Sequence, residues 1–409
     1  MEFGLIGEHL GHSFSKTIHG MLTDAPYELV ELRPDELAGF LAEKDFRGIN
    51  VTIPYKREVM PHLDEIADSA RACRAVNCIV NRGGRLTGYN TDYDGFIALA
   101  RHAGVDFQGA KVIILGAGGA ASAVAAAARS MGAASVSNAC RRPAEGQFHL
   151  ADPESWSDCD IIVNATPVGM YPDWQGKLLD LNNFPHLRGV LDCIYNPLRT
   201  RLVLDAQERG IPADGGLYML VGQAIRAREL FYGSTIPEER CAEVYGRILN
   251  GKRNIVLCGM PFCGKTTVGR ELASRSGRRY IDTDEVIRLH AGMDIPEIFA
   301  REGETGFRKR ETAAIESVAA EQGVIIATGG GAVLRDENVR LLRHNGIICL
   351  LQRDLGLLTP TADRPLSRDR ASLQALYERR LPFYLRAAEL KIDNNGPLER
   401  TIEELEKLC

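Results

Sequence analysis

Short apolar runs alternate with segments of helical periodicity along almost the whole chain. Strand-length apolar runs that alternate with helices are typical of α/β folds with parallel sheets. Two of these runs, at 111–115 and 254–258, are followed directly by a glycine-rich turn and then by a helical segment. Because the two turns differ in sequence and the chain shows no internal repeat, the pattern predicts two strand–turn–helix units of different kinds.

The pattern also predicts where the chain divides. A helical segment at 237–249 ends at Asn250-Gly251, which is a helix stop signal, and short polar residues follow at 251–253. A second boundary is expected near residue 100, ahead of the first glycine turn. We therefore predict three α/β domains at 1–100, 101–214 and 254–409, the first of them completed by a C-terminal helix near 215–250.

Composition and charge exclude several classes of protein. The 409 residues carry a net charge of −5, so no basic excess points to nucleic acid. No apolar stretch approaches the ~20 residues of a membrane helix, and the N-terminus lacks the pattern of a signal peptide. The ten cysteines are scattered without paired metal-ligand spacing, which favours reduced thiols over a zinc site. A soluble, cytoplasmic protein is expected, and its oligomeric state stays open.

The first glycine turn fits a dinucleotide-binding fingerprint, G-x-G-x-x-A, between a strand and an alanine-rich helix. The first glycine permits the tight turn, the second admits the pyrophosphate, and the small third residue lets helix and strand pack closely. The alternative is a structural turn in another α/β fold. The predicted cofactor contacts are Gly116, Gly118, Gly119, Ala120 and Ala121.

The next strand indicates which dinucleotide is bound. NAD enzymes keep an acidic residue about 20 residues after the turn, but Asn138 stands there and is followed by Arg141 and Arg142. Guanidinium groups suit a 2′-phosphate, so we predict NADP(H), with these three residues as contacts. The alternative is a pair of surface arginines.

The second glycine turn is a P-loop, G-x-x-x-x-G-K-T, at Gly259 to Thr266. Its backbone N–H groups are expected to surround the phosphates of ATP, with Lys265 on the β/γ oxygens and Thr266 on Mg²⁺. The predicted nucleotide contacts are Gly259, Gly264, Lys265, Thr266 and Thr267.

Residues 3–249 resemble the shikimate dehydrogenase family. The motifs, in order, are GLIG, HSxSK, NVTIPYK, AVN, NTD, LGAGGAA, NATPVGM and YNP. The resemblance implies a substrate-binding domain followed by a Rossmann NADP domain, and it makes Lys56 and Asp92 the catalytic pair. It implies substrate contacts from Ser13, Ser15, Thr52, Asn77, Tyr195 and Gln223. It implies nicotinamide contacts from Thr166, Gly169, Met170, Gly216 and Met219.

The first resemblance is incomplete at two places. Ala139-Cys140 stand where the family has Arg-Thr after the strand-end Asn, which makes Arg141 and Arg142 the expected substitutes at the 2′-phosphate. Gly215 replaces the family's Asp, and Tyr218 replaces a small residue.

Residues 254–409 resemble shikimate kinase, a P-loop α/β domain with a parallel sheet flanked by helices. The motifs are DTD at 282–284, GExxFRxxE at 303–311, the glycines at 329–331, ADRP at 362–365 and RLPFY at 380–384. The resemblance implies Asp282 as an Mg²⁺ residue, Asp284 beside Lys265 as catalytic, and Arg364 on a lid over the phosphates. It implies shikimate contacts from Arg308, Gly330, Gly331 and Arg380. Phe262 and Cys263 replace small residues of the loop, and Phe262 is strained if its position needs φ > 0.

Together the resemblances imply a bifunctional enzyme of aromatic amino-acid biosynthesis. The first part is expected to reduce 3-dehydroshikimate with NADPH, and the second to phosphorylate the resulting shikimate with ATP and Mg²⁺. Two alternatives stay open. One is a quinate/shikimate dehydrogenase of broader specificity fused to a related small-molecule kinase, and the other is a non-catalytic metabolite sensor.

Overall fold

The computed structural model describes residues 1–11, 14–358 and 370–409. It divides into two compact units, Met1–Ile248 and Leu249–Cys409. Within the described ranges, no helix combines the length and the apolar character that crossing a membrane requires.

The first unit begins with a six-stranded mixed sheet in the order β2-β1-β3-β5-β6-β4. Its strands are β1 (Phe3–Gly7), β2 (Tyr27–Glu31), β3 (Gly48–Val51), β4 (Glu65–Ile66), β5 (Cys78–Arg82) and β6 (Arg85–Tyr89). Its helices are α1 (Ser15–Leu22), α2 (Leu37–Glu43), α3 (Asp68–Cys73) and α4 (Thr91–His102). Strand β5 runs antiparallel to β3 and to β6. The pairing with β6 follows from the two-residue turn Gly83-Gly84, which can only join antiparallel strands.

The second sheet of this unit is fully parallel, in the order β12-β11-β10-β7-β8-β9. Its strands are β7 (Lys111–Leu115), β8 (Ser135–Cys140), β9 (Phe148–His149), β10 (Ile161–Asn164), β11 (Gly189–Asp192) and β12 (Ala213–Asp214). Helices α5 (Gly119–Ser130) and α6 (Arg201–Glu208) cover opposite core clusters, one centred on Val112 and Ile114 and the other on Ile113 and Trp156.

Two further helices, α7 (Leu217–Tyr232) and α8 (Glu238–Lys252), follow the second sheet. Helix α7 crosses α4 at close range: a Cβ atom added at Gly95 would lie 2.5 Å from the carbonyl oxygen of Met219. Its far end packs the ring of Phe231 over Gly48 of the first sheet. Helix α7 therefore ties the first sheet to the segment that carries Asp92.

The second unit has one parallel sheet in the order β14-β15-β13-β16-β17. Its strands are β13 (Asn254–Cys258), β14 (Tyr280–Asp282), β15 (Ile325–Ala327), β16 (Gly346–Gln352) and β17 (Leu390–Asp393). Its helices are α9 (Lys265–Ser276), α10 (Thr283–Ala291), α11 (Ile295–Ala319, broken at Gly303), α12 (Asp336–Asn345), α13 (Arg370–Ala387) and α14 (Leu398–Glu406).

One local prediction was wrong. The stop signal Asn250-Gly251 does not end α8, which continues to Lys252. Tertiary contacts outweigh the local signal there, since Arg278 donates hydrogen bonds to the carbonyl oxygens of Asn250 and Arg253 at 2.7 and 2.8 Å.

Candidate active sites

A cavity of about 550 Å³ in the first unit is formed where β1, β3 and the starts of α1, α4 and α7 meet. It gathers most of the residues that the sequence assigned to substrate. Its wall contains the predicted substrate residues Ser15, Thr52, Asn77, Tyr195 and Gln223, the predicted catalytic pair Lys56 and Asp92, and the predicted nicotinamide residues Gly216 and Met219. Ala120, from the glycine turn that begins α5, also lines it. Ser13 lies outside the described residues.

Lys56 and Asp92 form an ion pair on the wall of this cavity. The loop after β3 carries Lys56, and the first turn of α4 carries Asp92, which leaves their side chains 24% and 18% exposed. Lys56 Nζ donates to Asp92 Oδ2 at 2.6 Å. Asn90 caps α4 by accepting from the N–H of Asp92 at 3.1 Å, so the carboxylate is held in place. Lys56 lines the cavity, so its remaining Nζ protons are available to an oxygen atom of a ligand.

Amide side chains form a second polar group beside this pair. Asn77 Oδ1 accepts from the N–H of Thr91 at 2.6 Å, and Thr91 Oγ1 donates to Gln223 Oε1 at 3.3 Å. The Gln223 amide nitrogen donates to Leu220 O at 3.0 Å. Asn77 and Gln223, the latter on α7, are thus fixed against one helix start, which suits them to position several hydroxyl groups of a ligand.

A buried aromatic pair supports the other side of the cavity. The rings of His19 and Tyr27 stack at 4.1 Å, and Tyr27 donates its hydroxyl proton to Asn50 Oδ1 at 2.8 Å. The Tyr27 hydroxyl also hydrogen-bonds Ser15. Burial lowers the pKa of His19 to about 4, so its ring is neutral at neutral pH. This group orients Ser15 and Asn50 without adding charge.

The first glycine turn has the geometry that a pyrophosphate needs. Gly116 has φ 108°, and a Cβ atom there would lie 3.0 Å from the carbonyl oxygen of Ala165. Gly118 and Gly119 have no atom within 4 Å of an added Cβ, so the helix start is open. Ala121 is buried against the strand, and Asn138 Nδ2 donates to Gly116 O at 2.7 Å. Asn138 thus braces the turn itself.

Arg141 and Arg142 follow β8 at the same edge of the sheet. Both side chains are exposed. Across the part of the chain that the structure describes, neither guanidinium has a hydrogen-bond or ion-pair partner. Two unpaired cations beside an open glycine turn are suited to a phosphate group.

Thr166, Gly169 and Met170 follow β10 and lie outside the 550 Å³ cavity. Thr166 donates through its N–H and its hydroxyl to Asn164 Oδ1 at 2.9 and 2.7 Å, and Met170 is 43% exposed. Behind this loop, Asp192 accepts from Thr200 Oγ1 at 2.7 Å, and burial raises its pKa to about 7. The loop is therefore anchored on a buried polar network.

A second cavity, of about 400 Å³, opens over the P-loop of the second unit. Predicted residues on its wall are Gly264, Lys265, Thr266, Thr267, Asp282, Asp284 and Gly330. Lys265 Nζ donates to the carbonyl oxygens of Gly259 and Met260 at 3.0 and 2.9 Å. Phe262 has φ 67°, the strained conformation considered from the sequence. Arg364 lies outside the described residues.

The carboxylates of this site stand at the start of α10. Asp282 caps the helix by accepting from the N–H of Asp284 at 2.9 Å, and Tyr280 donates to its other oxygen at 3.2 Å. Tyr280 also hydrogen-bonds the side chain of Thr266. The hydroxyl of Thr266 and the carboxylate of Asp282 are therefore linked through one tyrosine, and both are oxygen donors of the kind Mg²⁺ binds.

Two arginines lie beyond Asp284, outside the lining of this cavity. Arg308 donates to buried Glu311 at 2.7 Å, and its guanidinium fills the space that a side chain at Gly331 would need. Arg380, itself 4% exposed, donates to Gly330 O at 2.9 Å. Burial raises the pKa of Glu311. The arrangement presents two cations beside the glycines, as a carboxylate-binding site requires.

Sequence reasoning missed two residues of the second site. Arg353 lines the cavity directly after β16, and Asn394 Nδ2 donates to Cys263 O in the P-loop at 2.7 Å. Both residues directly follow strands, and this position could have identified them, because polar residues at the carboxyl ends of parallel strands gather at one edge of the sheet. Neither belongs to a recognised motif.

Comparisons with known proteins match the two parts of the chain to two families. Residues 5–79 match the family model of the shikimate dehydrogenase substrate binding domain, and residues 261–408 match that of shikimate kinase. A shikimate dehydrogenase (NADP(+)) from Clostridium perfringens is 34% identical over 261 residues, which cover 59% of this chain and 96% of the relative. The corresponding protein from Symbiobacterium thermophilum is 37% identical over 263 residues, 57% of this chain and 90% of the relative.

Solved structures resemble the first unit. A chorismate mutase/shikimate 5-dehydrogenase fusion from Clostridium acetobutylicum is 35% identical with a TM-score of 0.57, covering 60% of this chain and 96% of that one. Shikimate 5-dehydrogenase from Thermus thermophilus, in complex with NADP(H) and shikimate, is 30% identical with a TM-score of 0.54, covering 60% and 99%. Both resemblances and the α/β fold class predicted from the sequence are confirmed. The chain belongs to the shikimate dehydrogenase family through its N-terminal part and carries a shikimate kinase domain in its C-terminal part, which makes it a bifunctional enzyme of the shikimate pathway.

Proposed function

We propose that the first unit reduces 3-dehydroshikimate to shikimate with NADPH and that the second unit converts shikimate and ATP into shikimate 3-phosphate. The observation that carries the first assignment is the Lys56–Asp92 pair at 2.6 Å in a cavity that also reaches the glycine turn. The second assignment rests on the P-loop cavity, which is lined by Lys265, Asp284 and Gly330. We also propose that the chain is organised into a substrate-binding domain at 1–100, a Rossmann domain at 101–214 and a kinase domain at 254–409.

In the first unit, Lys56 is the proposed acid. NADPH supplies a hydride when it is bound. Negative charge then develops on the ketone oxygen, and the Lys56 ammonium stabilises that charge and donates the proton. Asp92 orients the ammonium. Asn77 and Gln223 bind the substrate hydroxyls, and Ser15 with Thr52 faces its carboxylate.

The residues present fit NADP. Gly118 and Gly119 leave the space that a pyrophosphate needs, and Arg141 with Arg142 supplies unpaired positive charge at the 2′-phosphate position. The C. perfringens and S. thermophilum relatives are named as NADP(+) enzymes. Met219 and Gly216, on the cavity wall, are the proposed neighbours of the nicotinamide.

In the second unit, positioning and charge neutralisation are expected to supply most of the catalysis. Thr266 and Asp282 would hold Mg²⁺, which neutralises phosphate charge when bound. Asp284 orients the attacking hydroxyl and accepts its proton, and Arg308 with Arg380 binds the shikimate carboxylate. The substrate of this reaction is the product of the first, so the two steps are consecutive.

One set of assays on the full chain tests this function. Purified protein is expected to oxidise NADPH with 3-dehydroshikimate and to form ADP with shikimate. Lys56→Met should lower the first rate by about 10²-fold or more and leave the second unchanged, because it removes the proton donor. Asp284→Asn should lower the rate of shikimate phosphorylation and leave the rate of ketone reduction unchanged, so each variant is the control for the other.

The same assays distinguish the alternatives. Comparable turnover of quinate, or of NADH in place of NADPH, would indicate a dehydrogenase of broader specificity. Absence of both rates, with shikimate and nucleotide still bound, would indicate a metabolite sensor and contradict the proposal. Near-normal ketone reduction by Lys56→Met would contradict the assigned acid.

A further inference from the structure

Arg353 is a cation in the P-loop cavity to which no motif gives a role. It directly follows β16, which pairs with β13 in parallel so that Leu350 is opposite Cys258. The P-loop begins right after Cys258, so Arg353, which follows the neighbouring strand, lies beside the P-loop. Its Nη1 atom lies 3.8 Å from a Cβ atom added at Gly264, and its side chain lines the cavity together with Lys265 and Thr267.

Among the described residues, the guanidinium of Arg353 has no ion-pair partner. Its Nε is buried without a hydrogen-bond partner, and within the described ranges no carboxylate or carbonyl oxygen accepts from its other nitrogens. The neighbouring Asp354 is engaged by Asn395, which donates to its Oδ1 at 3.3 Å. By contrast, Arg308 is paired with Glu311, and Arg380 with Gly330 O. A half-buried, unpaired guanidinium in a cavity favours an anionic ligand.

The sheet order indicates which part of the ligand Arg353 meets. Strand β13 lies between β15 and β16, with β14 beyond β15. Asp284 and Gly330 follow β14 and β15, whereas Arg353 follows β16. Arg353 is therefore on the side of the P-loop opposite the residues assigned to the acceptor alcohol. The phosphates on that side are those that stay on the nucleotide after transfer.

We propose that Arg353 binds the α- or β-phosphate of the nucleotide and sets the affinity of the kinase site for ATP and ADP. This inference rests on the proposed kinase function for the identity of the nucleotide site. The fork of the guanidinium supplies two parallel donors to phosphate oxygens, beside the backbone N–H groups of the P-loop. It acts on binding, so the chemical step and the acceptor affinity should depend on it little.

The test compares Arg353→Met with Arg400→Met in the full chain. Methionine keeps the apolar stem, and Arg400 is an exposed arginine on α14 away from the cavity, so the control loses the same charge. Calorimetric titration with MgADP should show affinity about 10- to 100-fold weaker for Arg353→Met, as expected for a lost charge-assisted hydrogen bond, and unchanged for Arg400→Met. KM for ATP should rise in parallel, while KM for shikimate and kcat stay within about twofold.

If Arg353→Met does not fold, Arg353→Gln takes its place. Arg353→Lys should recover part of the lost MgADP affinity, because lysine keeps the positive charge but lacks the two parallel donors of the guanidinium. Unchanged MgADP affinity in Arg353→Met or Arg353→Gln would overturn the proposal. A rise in KM for shikimate with constant KM for ATP would also overturn it, because Arg353 would then contact the acceptor and not the nucleotide. Because MgADP binding needs no acceptor, a chain that binds MgADP through Arg353 but does not phosphorylate shikimate would refute the proposed function alone.

Discussion

At the scale of single residues, the two arginines after β8 decide the expected choice of cofactor. Arg141 and Arg142 are exposed and unpartnered in the described structure, and they are the expected substitutes for a clamp that the family places two residues earlier. Replacing both with Ala should raise KM for NADPH by about 10-fold or more and leave KM for NADH nearly unchanged, because only NADPH carries the 2′-phosphate. Steady-state kinetics with each cofactor measures this.

The control for that prediction is Arg129→Ala, since Arg129 is an exposed arginine in the last turn of α5, at the opposite end from the glycine turn. It should change neither constant. Equal effects of the double variant on NADPH and NADH would show that these arginines do not contact the 2′-phosphate.

Phe262 gives a second prediction at this scale. It holds φ 67° inside the P-loop, where a side chain with a Cβ atom is strained by about 1–2 kcal/mol. Phe262→Gly should therefore be more stable than Phe262→Ala by about 1 kcal/mol, since both lose the ring and only glycine relieves the backbone. Hydrogen exchange of the β13 amides in the full chain reports the difference.

A matched pair at Leu289 supplies the control. Leu289 is 80% exposed within α10, and there glycine should be less stable than alanine by about 1 kcal/mol. If alanine is the more stable residue at both positions, the positive φ at Phe262 does not describe the protein in solution.

How much of each site could be predicted differs between these residues. The resemblance to the dehydrogenase family identified Lys56 and Asp92, and the spacing of the P-loop motif identified Lys265, because chemistry fixes residue type and order along the chain. Spacing also raised the question of φ at Phe262. Arg353 and Asn394 were missed, because they reach the P-loop only through the pairing of β16 and β17 with the central strands. Their roles depend on contacts between segments far apart in sequence, which local patterns do not record.

At the scale of secondary-structure elements, the crossing of α4 and α7 determines the geometry of the first cavity. The crossing brings Asp92 on α4 near Gln223 on α7, and it depends on Gly95, where an added Cβ would lie 2.5 Å from Met219 O. Gly95→Ala should push the helices apart, lower the free energy of unfolding by about 1–3 kcal/mol and raise KM for 3-dehydroshikimate. Both tryptophans, Trp156 and Trp174, belong to the first unit, so their fluorescence during urea unfolding measures it in the full chain.

Gly246→Ala on α8 is the control for Gly95→Ala. An added Cβ at Gly246 has no atom within 4 Å, so alanine there should stabilise by up to about 1 kcal/mol and leave KM unchanged. A Gly95→Ala protein with normal stability and normal KM would show that the helices tolerate a wider spacing.

Element prediction from sequence was most reliable where one signal dominated. The strands at 111–115 and 254–258 were predicted at their observed bounds, because each is a continuous apolar run before a glycine turn. The predicted end of α8 was wrong. Asn250-Gly251 is a local stop signal, and the hydrogen bond from Arg278 outweighs it. The antiparallel pairing of β5 was not anticipated, although Gly83-Gly84 is a hairpin signal in retrospect.

At the scale of the whole molecule, each unit contains its own sheets, its own cavity and the complete set of its described site residues. Val244 and Ile248 of α8 are buried and belong to the first unit, whereas Asn250 hydrogen-bonds Arg278 within the second. A division between 248 and 249 therefore keeps these side chains and hydrogen bonds with the unit to which they belong. It differs from the boundary at 251–253 that the polar sequence indicated.

Separately expressed fragments 1–248 and 249–409 should fold and retain their own activities, NADPH-dependent reduction in one and ATP-dependent phosphorylation in the other. A shorter kinase fragment, 252–409, should also fold but be less stable by about 1–3 kcal/mol, because Arg278 loses its charge-assisted hydrogen bond to Asn250 O. Arg278→Ala in the longer fragment is the control, since it removes this bond together with the bond to Arg253 O. Shortening the Arg278→Ala fragment to 252–409 should then lower its stability little further, because the bond to Asn250 O is already absent. Urea unfolding of the kinase fragments and rate assays on all pieces measure these outcomes. Two soluble but inactive fragments that regain activity only after mixing would show that the units depend on each other and would contradict the two-enzyme description.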